Sequence, residues 1–151
     1  MKVQDVMISD VGFCLPTDNL AEVADTMRQR DCSILPIINE EKQVVGVITD
    51  RDICLAVAGQ DCKPSEIKVG EFHRENVIVC EPNEKIKDVL KKMGENKIKC
   101  LPVISQNGHL VGIISITDVL IVTKKDKSFR KKVTSTLIAI SKPSRITLRE
   151  I

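Results

Sequence analysis

The sequence predicts a mixed α+β protein in which one β-α-β-β-α unit occurs twice, with the two copies packed as a pseudo-two-fold module. Sliding the 151-residue chain by 66 positions aligns residues 3–57 with residues 69–123 without a gap, and 13 of the 55 aligned positions are identical. Val and Ile together account for 36 residues, a β-branched content that favours strands. One copy alone is too small for a generous core, so the two copies are expected to pack face to face.

The first two elements of the first copy are a strand and a helix. A short apolar run at residues 11–15 predicts a strand that Pro16 ends. Apolar residues at helical spacing predict an amphipathic helix over residues 19–30, for which Thr17 or Asp18 is the candidate N-cap.

Two strands and a second helix complete the first copy. The apolar runs at residues 34–38 and 44–49 predict the strands. Pro36 is expected at an edge or an irregular position because it has no N–H to donate to a ladder. Residues 50–59 predict the second helix, with Gly59 as its stop.

The second copy repeats this order, and Asn107-Gly108 is a strong hairpin signal between its last two strands. Its predicted elements are a strand at 77–81, a helix at 84–97, strands at 100–105 and 110–115, and a helix from Ile116. We therefore expect a first repeat at 1–59, a connector at 60–68 that contains the helix breaker Pro64, a second repeat at 69–123, and a basic C-terminal extension at 124–151.

Charge is distributed unevenly between the repeats and the extension. Residues 1–123 carry 14 basic and 19 acidic side chains, a net charge of −5, whereas residues 124–151 carry 9 and 2, a net charge of +7. Phe129, Val133, Leu137 and Ile140 fall on one helical stripe, which predicts a packing helix with a solvated basic face. A patch that binds nucleic acid or another polyanion, and a disordered tail, are the alternatives.

Composition disfavours several classes of function. Aromatic residues make up only 2% of the chain, namely Phe13, Phe72 and Phe129, so binding of single-stranded nucleic acid by base stacking is not expected. No apolar run is long enough to cross a bilayer and no secretory signal is visible, so we expect a cytoplasmic protein with no membrane partner. The sequence has no phosphate-binding loop of the nucleotide hydrolases and no nucleophile–base pattern, so an enzyme is not expected.

The six cysteines are scattered without a C-x-x-C pair, which argues against a zinc ribbon and for reduced thiols that pack as small hydrophobes. A metal site that combines some of them with His73 or His109 stays open. His73-Arg74 is also a candidate contact for a phosphate.

The pair LPII…VVGVITDRDI and LPVI…LVGIISITDV resembles the tandem cystathionine-β-synthase (CBS) domain, or Bateman module, over about residues 1–123. The resemblance implies a regulatory module that binds adenosine-containing ligands (AMP, ADP or ATP, with S-adenosylmethionine or NAD as further options) and passes a conformational signal to a downstream protein. It also implies a homodimer in which helical faces pack, and the helices at 50–58 and 116–122 are the candidates.

The strand–helix junction at Thr49 has the chemistry that a nucleotide requires. The helix N-terminus presents free N–H groups, which suit phosphate, and the Thr49 hydroxyl lies at the turn. Arg51 is suited to phosphate oxygens and Asp52 to a vicinal ribose diol.

The second copy repeats the hydroxyl and the carboxylate as Ser115 and Asp118, but Thr117 replaces the arginine, which weakens its interaction with phosphate. By resemblance, the walls around adenine come from the segments at 9–11, 32–34, 76–77 and 98–100, with the binding residues Val11, Ser33, Ile34, Val77, Lys99 and Cys100.

A purely structural interpretation competes with this one. Thr49-x-x-Asp52 and Ser115-x-x-Asp118 are variants of the capping box, which stabilises a helix start without any ligand. A dimeric scaffold that binds no nucleotide is therefore an alternative function, as is a polyanion binder that uses the basic extension.

Overall fold

A computed structural model describes residues 1–71 and 76–142. Within these ranges the chain forms five α-helices and two antiparallel two-stranded sheets, together with short 3₁₀ turns. The first half contains α1 (Leu20–Arg30), β1 (Ile34–Ile38), β2 (Val44–Thr49) and α2 (Asp50–Gln60). The second half contains α3 (Ile86–Asn96), β3 (Cys100–Ile104), β4 (Leu110–Ser115) and α4 (Ile116–Val122), and α5 (Lys127–Ser141) follows.

The two sheets share one register, which confirms the predicted α+β fold with an internal duplication. Leu35 pairs with Ile48 in the first sheet, and Leu101 pairs with Ile114 in the second. Each ladder shifts register at the same place, between residues 37 and 38 and between residues 103 and 104. The tips of the two hairpins meet, with the Val44 N–H donating to the Gly108 carbonyl at 3.1 Å and the Leu110 N–H to the Lys42 carbonyl at 3.2 Å.

The predicted first strand of each repeat is reduced to a single bridging residue, Cys14 or Cys80. The Cys14 N–H donates to the Pro36 carbonyl at 3.0 Å, and the Ile38 N–H donates to the Cys14 carbonyl at 2.9 Å. Because the carbonyl and the nitrogen of a strand residue point to the same side, the N–H that Pro36 lacks is the one that would extend this ladder. Pro102 has the same effect beside Cys80.

Three of the predicted helices begin or end at residues other than those predicted. Asn19, and not Thr17 or Asp18, caps α1, since its side chain accepts from the N–H groups of Ala21 and Glu22 at 3.0 Å each. The Asp18 carboxylate instead accepts from the Leu15 N–H at 2.8 Å.

The second wrong boundary is the end of α2, which continues past Gly59 to Gln60. Asp61 follows in the left-handed conformation, with φ 51°, and therefore takes the role expected of the glycine. The helix predicted at 84–97 is shorter, at Ile86–Asn96.

The core of each repeat includes residues from the segment where the other repeat begins. Val3 and Val6 are buried in the second core beside Leu90 and Ile114, and Ile67 and Val69 are buried in the first core.

Matching backbone hydrogen bonds hold these segments. The Val3 N–H donates to the Glu84 carbonyl at 3.0 Å, and the Val69 N–H donates to the Asp18 carbonyl at 2.9 Å. We call residues 1–8 and 66–71 the two arms; they cross between the repeats and make the module a single folded body.

Within the described part of the C-terminal extension, Lys127–Ser141 forms the expected packing helix. Val133 of α5 is 1% exposed in the second core, and Phe129, Leu137 and Ile140 pack against that core. Gly94 of α3 allows close approach, since a Cβ built there would lie 3.4 Å from the Ala139 Cβ. The basic side chains of α5 are exposed.

None of the helices in the described ranges is both long and apolar enough to span a membrane. The sequence expectations for Phe72, His73 and Arg74 and for the last nine residues lie outside the described residues.

Candidate functional site

A cleft of about 410 Å³ lies between the repeats, beside the junction of β2 and α2. We call it the Thr49 cleft. Its apolar walls come from both halves of the chain, with Ile34 and Val47 from the first and Ile78, Ile98 and Pro102 from the second. Its polar and remaining lining residues are Ser33, Thr49, Asp50, Arg51, Asn76, Lys97, Lys99 and Cys100.

Thr49 and Asp52 form a complete capping box at one end of this cleft. The Asp52 N–H donates to the Thr49 hydroxyl at 3.1 Å, and Asp52 Oδ2 accepts from the Thr49 hydroxyl at 2.7 Å and from the Thr49 N–H at 3.0 Å. The Asp50 N–H donates to the Ser33 carbonyl at 3.1 Å, which ties the turn to the start of β1. Both side chains are partly buried, so the junction is rigid and yet borders the cleft.

The Thr49 cleft carries a net positive charge. Within residues 1–71 and 76–142, the ionised lining residues are the cations Arg51, Lys97 and Lys99 and one carboxylate, Asp50. Arg51 comes from α2 of the first repeat, whereas Lys99 immediately precedes β3 of the second. An anion in the cleft would therefore contact cations of both repeats.

The Cys100 thiol on the wall of the cleft has a raised pKa. Burial, with a contribution from the Asp118 carboxylate, raises the pKa of the Cys100 thiol from 9.0 to about 12. The thiol is therefore neutral at physiological pH and acts as a small apolar wall residue.

The pseudo-two-fold operation relates the Thr49 cleft to a smaller one of about 200 Å³, which we call the mate cleft. Ser115 and Asp118 form the equivalent capping box at the start of α4, with the Asp118 N–H donating to the Ser115 hydroxyl at 3.1 Å and that hydroxyl donating to Asp118 Oδ2 at 2.6 Å, but neither side chain lines the mate cleft. The lining of the mate cleft differs, however, and includes Asp10, Arg30, Asp31 and Cys32.

The structure brings half of the sequence-predicted binding residues into one cleft and holds Asp52 beside it through Thr49. Those lining the Thr49 cleft are Ser33, Ile34, Thr49, Arg51, Lys99 and Cys100. Ser115, Thr117 and Asp118 lie at the start of α4, whereas Val11 lines the mate cleft and Val77 lines a separate depression.

Sequence reasoning missed Val47, Ile78, Pro102 and Lys97 as lining residues. Lys97 follows the last residue of α3 in the left-handed conformation, with φ 54°. Asp31 holds the equivalent place after α1, with φ 49°. The 66-residue repeat spacing is the signal that could have paired Lys97 with Asp31 and revealed the opposite charges.

Four cysteines have raised pKa values, but the described residues contain no cluster of three or more His, Cys, Asp or Glu side chains that could hold a metal ion. Cys14 and Cys80 are buried as expected of small hydrophobes. Cys54 and Cys62 are exposed, which corrects the expectation that the cysteines are all core residues.

The chain belongs to the CBS domain family, because the family model matches residues 3–59 and 69–125. Pairs of CBS domains are generally regulatory. The chain is 30% identical over 116 residues to hypoxic response protein 1 of Mycobacterium tuberculosis, covering 77% of this chain and 80% of that protein. It is 31% identical over 127 residues to the 5′-AMP-activated protein kinase subunit gamma-3 of Bos taurus, covering 78% of this chain and 26% of that subunit.

Several curated relatives are longer than the matched region. The chain spans 61% of an uncharacterized protein of Methanopyrus kandleri, 44% of another of Methanocaldococcus jannaschii and 24% of a homoserine O-acetyltransferase of Methanococcus vannielii.

Solved structures of the family share the fold. The CBS domain pair of protein MJ0100, crystallised with 5′-methylthioadenosine and S-adenosyl-L-methionine, matches with a TM-score of 0.76 and 25% identity, covering 84% of this chain and 98% of that one. Hypoxic Response Protein I, crystallised with two coordinated zinc ions, matches with a TM-score of 0.72 and 28% identity, covering 79% of this chain and 96% of that one.

Proposed function

We propose that this chain is a regulatory module that binds an adenine nucleotide of the AMP, ADP or ATP class in the Thr49 cleft. The observation that carries the proposal is the combination, in one cleft between the repeats, of apolar walls, cations and the Thr49 hydroxyl, with the Asp52 carboxylate hydrogen-bonded to that hydroxyl beside the cleft. This is the chemistry that adenine, phosphate and ribose respectively require.

Each part of the nucleotide has a candidate partner. Ile34, Val47 and Ile98 offer apolar surface to the base. The Thr49 hydroxyl and the Asp52 carboxylate offer hydrogen-bond partners to the ribose diol, and Arg51 and Lys99 offer positive charge to phosphate. The adenosine compounds bound by the MJ0100 domain pair support this class of ligand.

A ligand in this cleft would transmit a signal because it contacts both repeats at once. The repeats are otherwise joined through the arms and through the hairpin tips at Gln43 and His109. A ligand that binds one relative placement of the repeats more tightly than another shifts the population towards that placement. The downstream receiver of this signal would be a protein that contacts the module.

Assembly as a homodimer is part of the proposal. The outer faces of α2 and α4 expose apolar side chains, among them Leu55 at 58% and Ile121 at 59%. Apolar surface of this kind favours burial against a second copy. We expect a solution mass near twice 16.8 kDa by light scattering, and a monomer at micromolar concentration would remove this part of the proposal.

A scaffold that binds no nucleotide is the second candidate, since both capping boxes are complete without a ligand. A thermal-shift panel of AMP, ADP, ATP, S-adenosylmethionine, NAD and zinc separates the two. The regulatory proposal expects an adenine nucleotide at 100 times its Kd to stabilise the fold by about 2.7 kcal/mol. The scaffold alternative expects no shift with any adenosine compound.

A further inference from the structure

The two clefts that the pseudo-two-fold relates have opposite charge. Of the residues that the structure describes, three cations and one carboxylate line the Thr49 cleft, a net charge of +2 for this lining. The mate cleft is lined by one cation, Arg30, and by the carboxylates Asp10 and Asp31, a net charge of −1. In the other repeat, the positions equivalent to Arg51, Lys97 and Lys99 hold Thr117, Asp31 and Ser33. The difference in charge between the clefts therefore follows from sequence differences between the repeats.

The mate cleft is also partly filled by its own chain. Arg30 Nη1 lies 3.2 Å from Asp10 Oδ1 and 3.5 Å from the Asp10 carbonyl oxygen, which holds the arginine across the cleft. Its Cδ would be only 2.6 Å from a Cβ built on Gly12, so the arginine stem lies against the wall where Gly12 leaves room.

The equivalent side chain in the other repeat does not fill the Thr49 cleft. Asn96 is 66 positions after Arg30, and its side-chain amide donates to the Lys92 carbonyl at 2.8 Å, folded back on α3. Ile78 is equivalent to Gly12 and forms part of the wall. The Thr49 cleft is the larger of the two, about 410 Å³ against about 200 Å³.

We propose that the chain binds one phosphorylated ligand, in the Thr49 cleft alone, and that Lys99 and Arg51 make it selective for anionic over neutral or cationic adenosine compounds. The inference rests on the proposed function and names the ligand class for that site. Affinity rises with the number of phosphates because Coulomb attraction to a cleft of net positive charge grows with ligand charge. The mate cleft repels phosphate through Asp10 and Asp31 and is obstructed by Arg30.

Lys99 and Arg51 belong to different repeats, so the phosphates join the two halves of the module. Lys99 is held at the start of β3, where its carbonyl accepts from the Ile116 N–H at 2.9 Å. Its backbone is therefore fixed to the start of α4, and a phosphate that pulls on this side chain acts on the second repeat. The number of phosphates then determines how firmly the repeats are held together.

The test is isothermal titration calorimetry of the full chain with ATP, AMP, adenosine, S-adenosylmethionine and inorganic tripolyphosphate. We expect one site per chain and the affinity order ATP, AMP, adenosine, with S-adenosylmethionine weaker than ATP. Lys99→Gln should weaken ATP binding by about tenfold, the effect of losing one charged hydrogen-bond partner, and leave adenosine binding unchanged. Lys131→Gln, which removes an exposed lysine of α5 that lines neither cleft, is the matched control and should change neither the ATP affinity nor the stoichiometry.

Two phosphorylated ligands per chain, equal affinities for ATP and adenosine, or an ATP affinity that Lys99→Gln does not lower would each overturn the inference while leaving the proposed function intact. If no adenosine compound binds but tripolyphosphate binds once per chain and is weakened by Lys99→Gln, the proposed function fails and the anion site stands. If neither class binds, both fail. Lys99 and Lys131 are exposed side chains, and unchanged thermal unfolding of the variants checks that they fold.

Discussion

At the scale of single residues, Thr49 and Ser115 have the same local geometry but different surroundings. Each hydroxyl accepts from the N–H three residues later at 3.1 Å and donates to the carboxylate of that residue. Thr49 borders the larger, positively charged cleft, whereas the mate cleft is lined by other side chains. The capping and binding interpretations are therefore compatible at Thr49.

The capping geometry could be predicted from the sequence because a capping box depends on residues three positions apart. The arginine that crosses the mate cleft could not. Arg30 and Asp10 are 20 positions apart, and their contact depends on where the end of α1 lies relative to the segment that follows the first arm. Long-range placement of this kind leaves no periodic signal in one sequence.

Three cysteine thiols with raised pKa values should make the folded chain less stable at alkaline pH. Burial raises the pKa of Cys14, Cys80 and Cys100 from 9.0 to about 12 in the folded chain, with smaller contributions from nearby acidic side chains. Above about pH 9 the unfolded chain releases protons that the folded chain still holds, so the free energy of unfolding falls as pH rises. Urea unfolding at pH 7.5, 8.5 and 9.5 measures this slope. Cys80→Ala should make the slope shallower, and an unaltered slope would show that this thiol does not titrate differently on unfolding.

At the scale of elements, α5 makes the two repeats unequal. It packs on α3, where Gly94 allows close approach of Ala139 and the Leu90 carbonyl accepts from the Thr136 hydroxyl at 3.4 Å. The equivalent positions on α1 are Arg28 and Ala24, and Arg28 forms an exposed ion pair with Asp25 at 2.5 Å. The surface of α1 is therefore suited to water, and that of α3 to a covering helix.

Removing apolar volume from α5 should destabilise the second core. Val133→Ala is expected to lower the free energy of unfolding by about 2 kcal/mol, since it removes two buried methyl groups and leaves a cavity. Lys131→Ala, on the exposed side of the same helix, should change it by less than about 0.5 kcal/mol. Chemical denaturation compares the two variants, and equal effects would mean that α5 does not contribute its apolar stripe to the core.

The helices and the four paired strands could be predicted because their periodicity is local, whereas the first strand of each repeat could not. Residues 11–15 have the composition of a strand, but their pairing partner is the segment around Pro36, 22 positions after Cys14. Pro36 has no N–H with which to extend that pairing. The N-cap of α1 is Asn19, one or two residues after the positions that the sequence predicts, because the Asp18 carboxylate accepts from the Leu15 N–H in the preceding turn.

At the scale of the whole molecule, the arms cross between the repeats, and this exchange distinguishes the structure from two independent domains joined by a linker. The sequence contains the equivalence of Val3 and Val69 but does not say which core each residue joins, because both cores offer the same apolar environment. Both residues are fully buried. Val3 lies in the core of the second repeat, and Val69 lies in the core of the first.

The exchange predicts that a residue near the N-terminus stabilises the second half of the chain. Val3→Ala should cost about 2 kcal/mol of unfolding free energy, close to the effect of Val69→Ala. Hydrogen exchange should report lost protection at Ile113 for Val3→Ala, because the first arm pairs there through Ile8. Gln4→Ala, an exposed neighbour, serves as the control. Loss of protection in β1 and β2 instead would place the first arm on the wrong core.

The central claim is that the Thr49 cleft binds an adenine nucleotide whereas its pseudo-symmetric mate does not. Calorimetric titration of Asp52→Ala and Asp118→Ala with ATP tests it most directly, because both variants lose the same capping box at a similar cost of about 1 kcal/mol in stability. The account predicts that Asp52→Ala weakens ATP binding by about tenfold or more, whereas Asp118→Ala binds as the unaltered chain does. Equal affinities for the two variants, or a loss confined to Asp118→Ala, would contradict it.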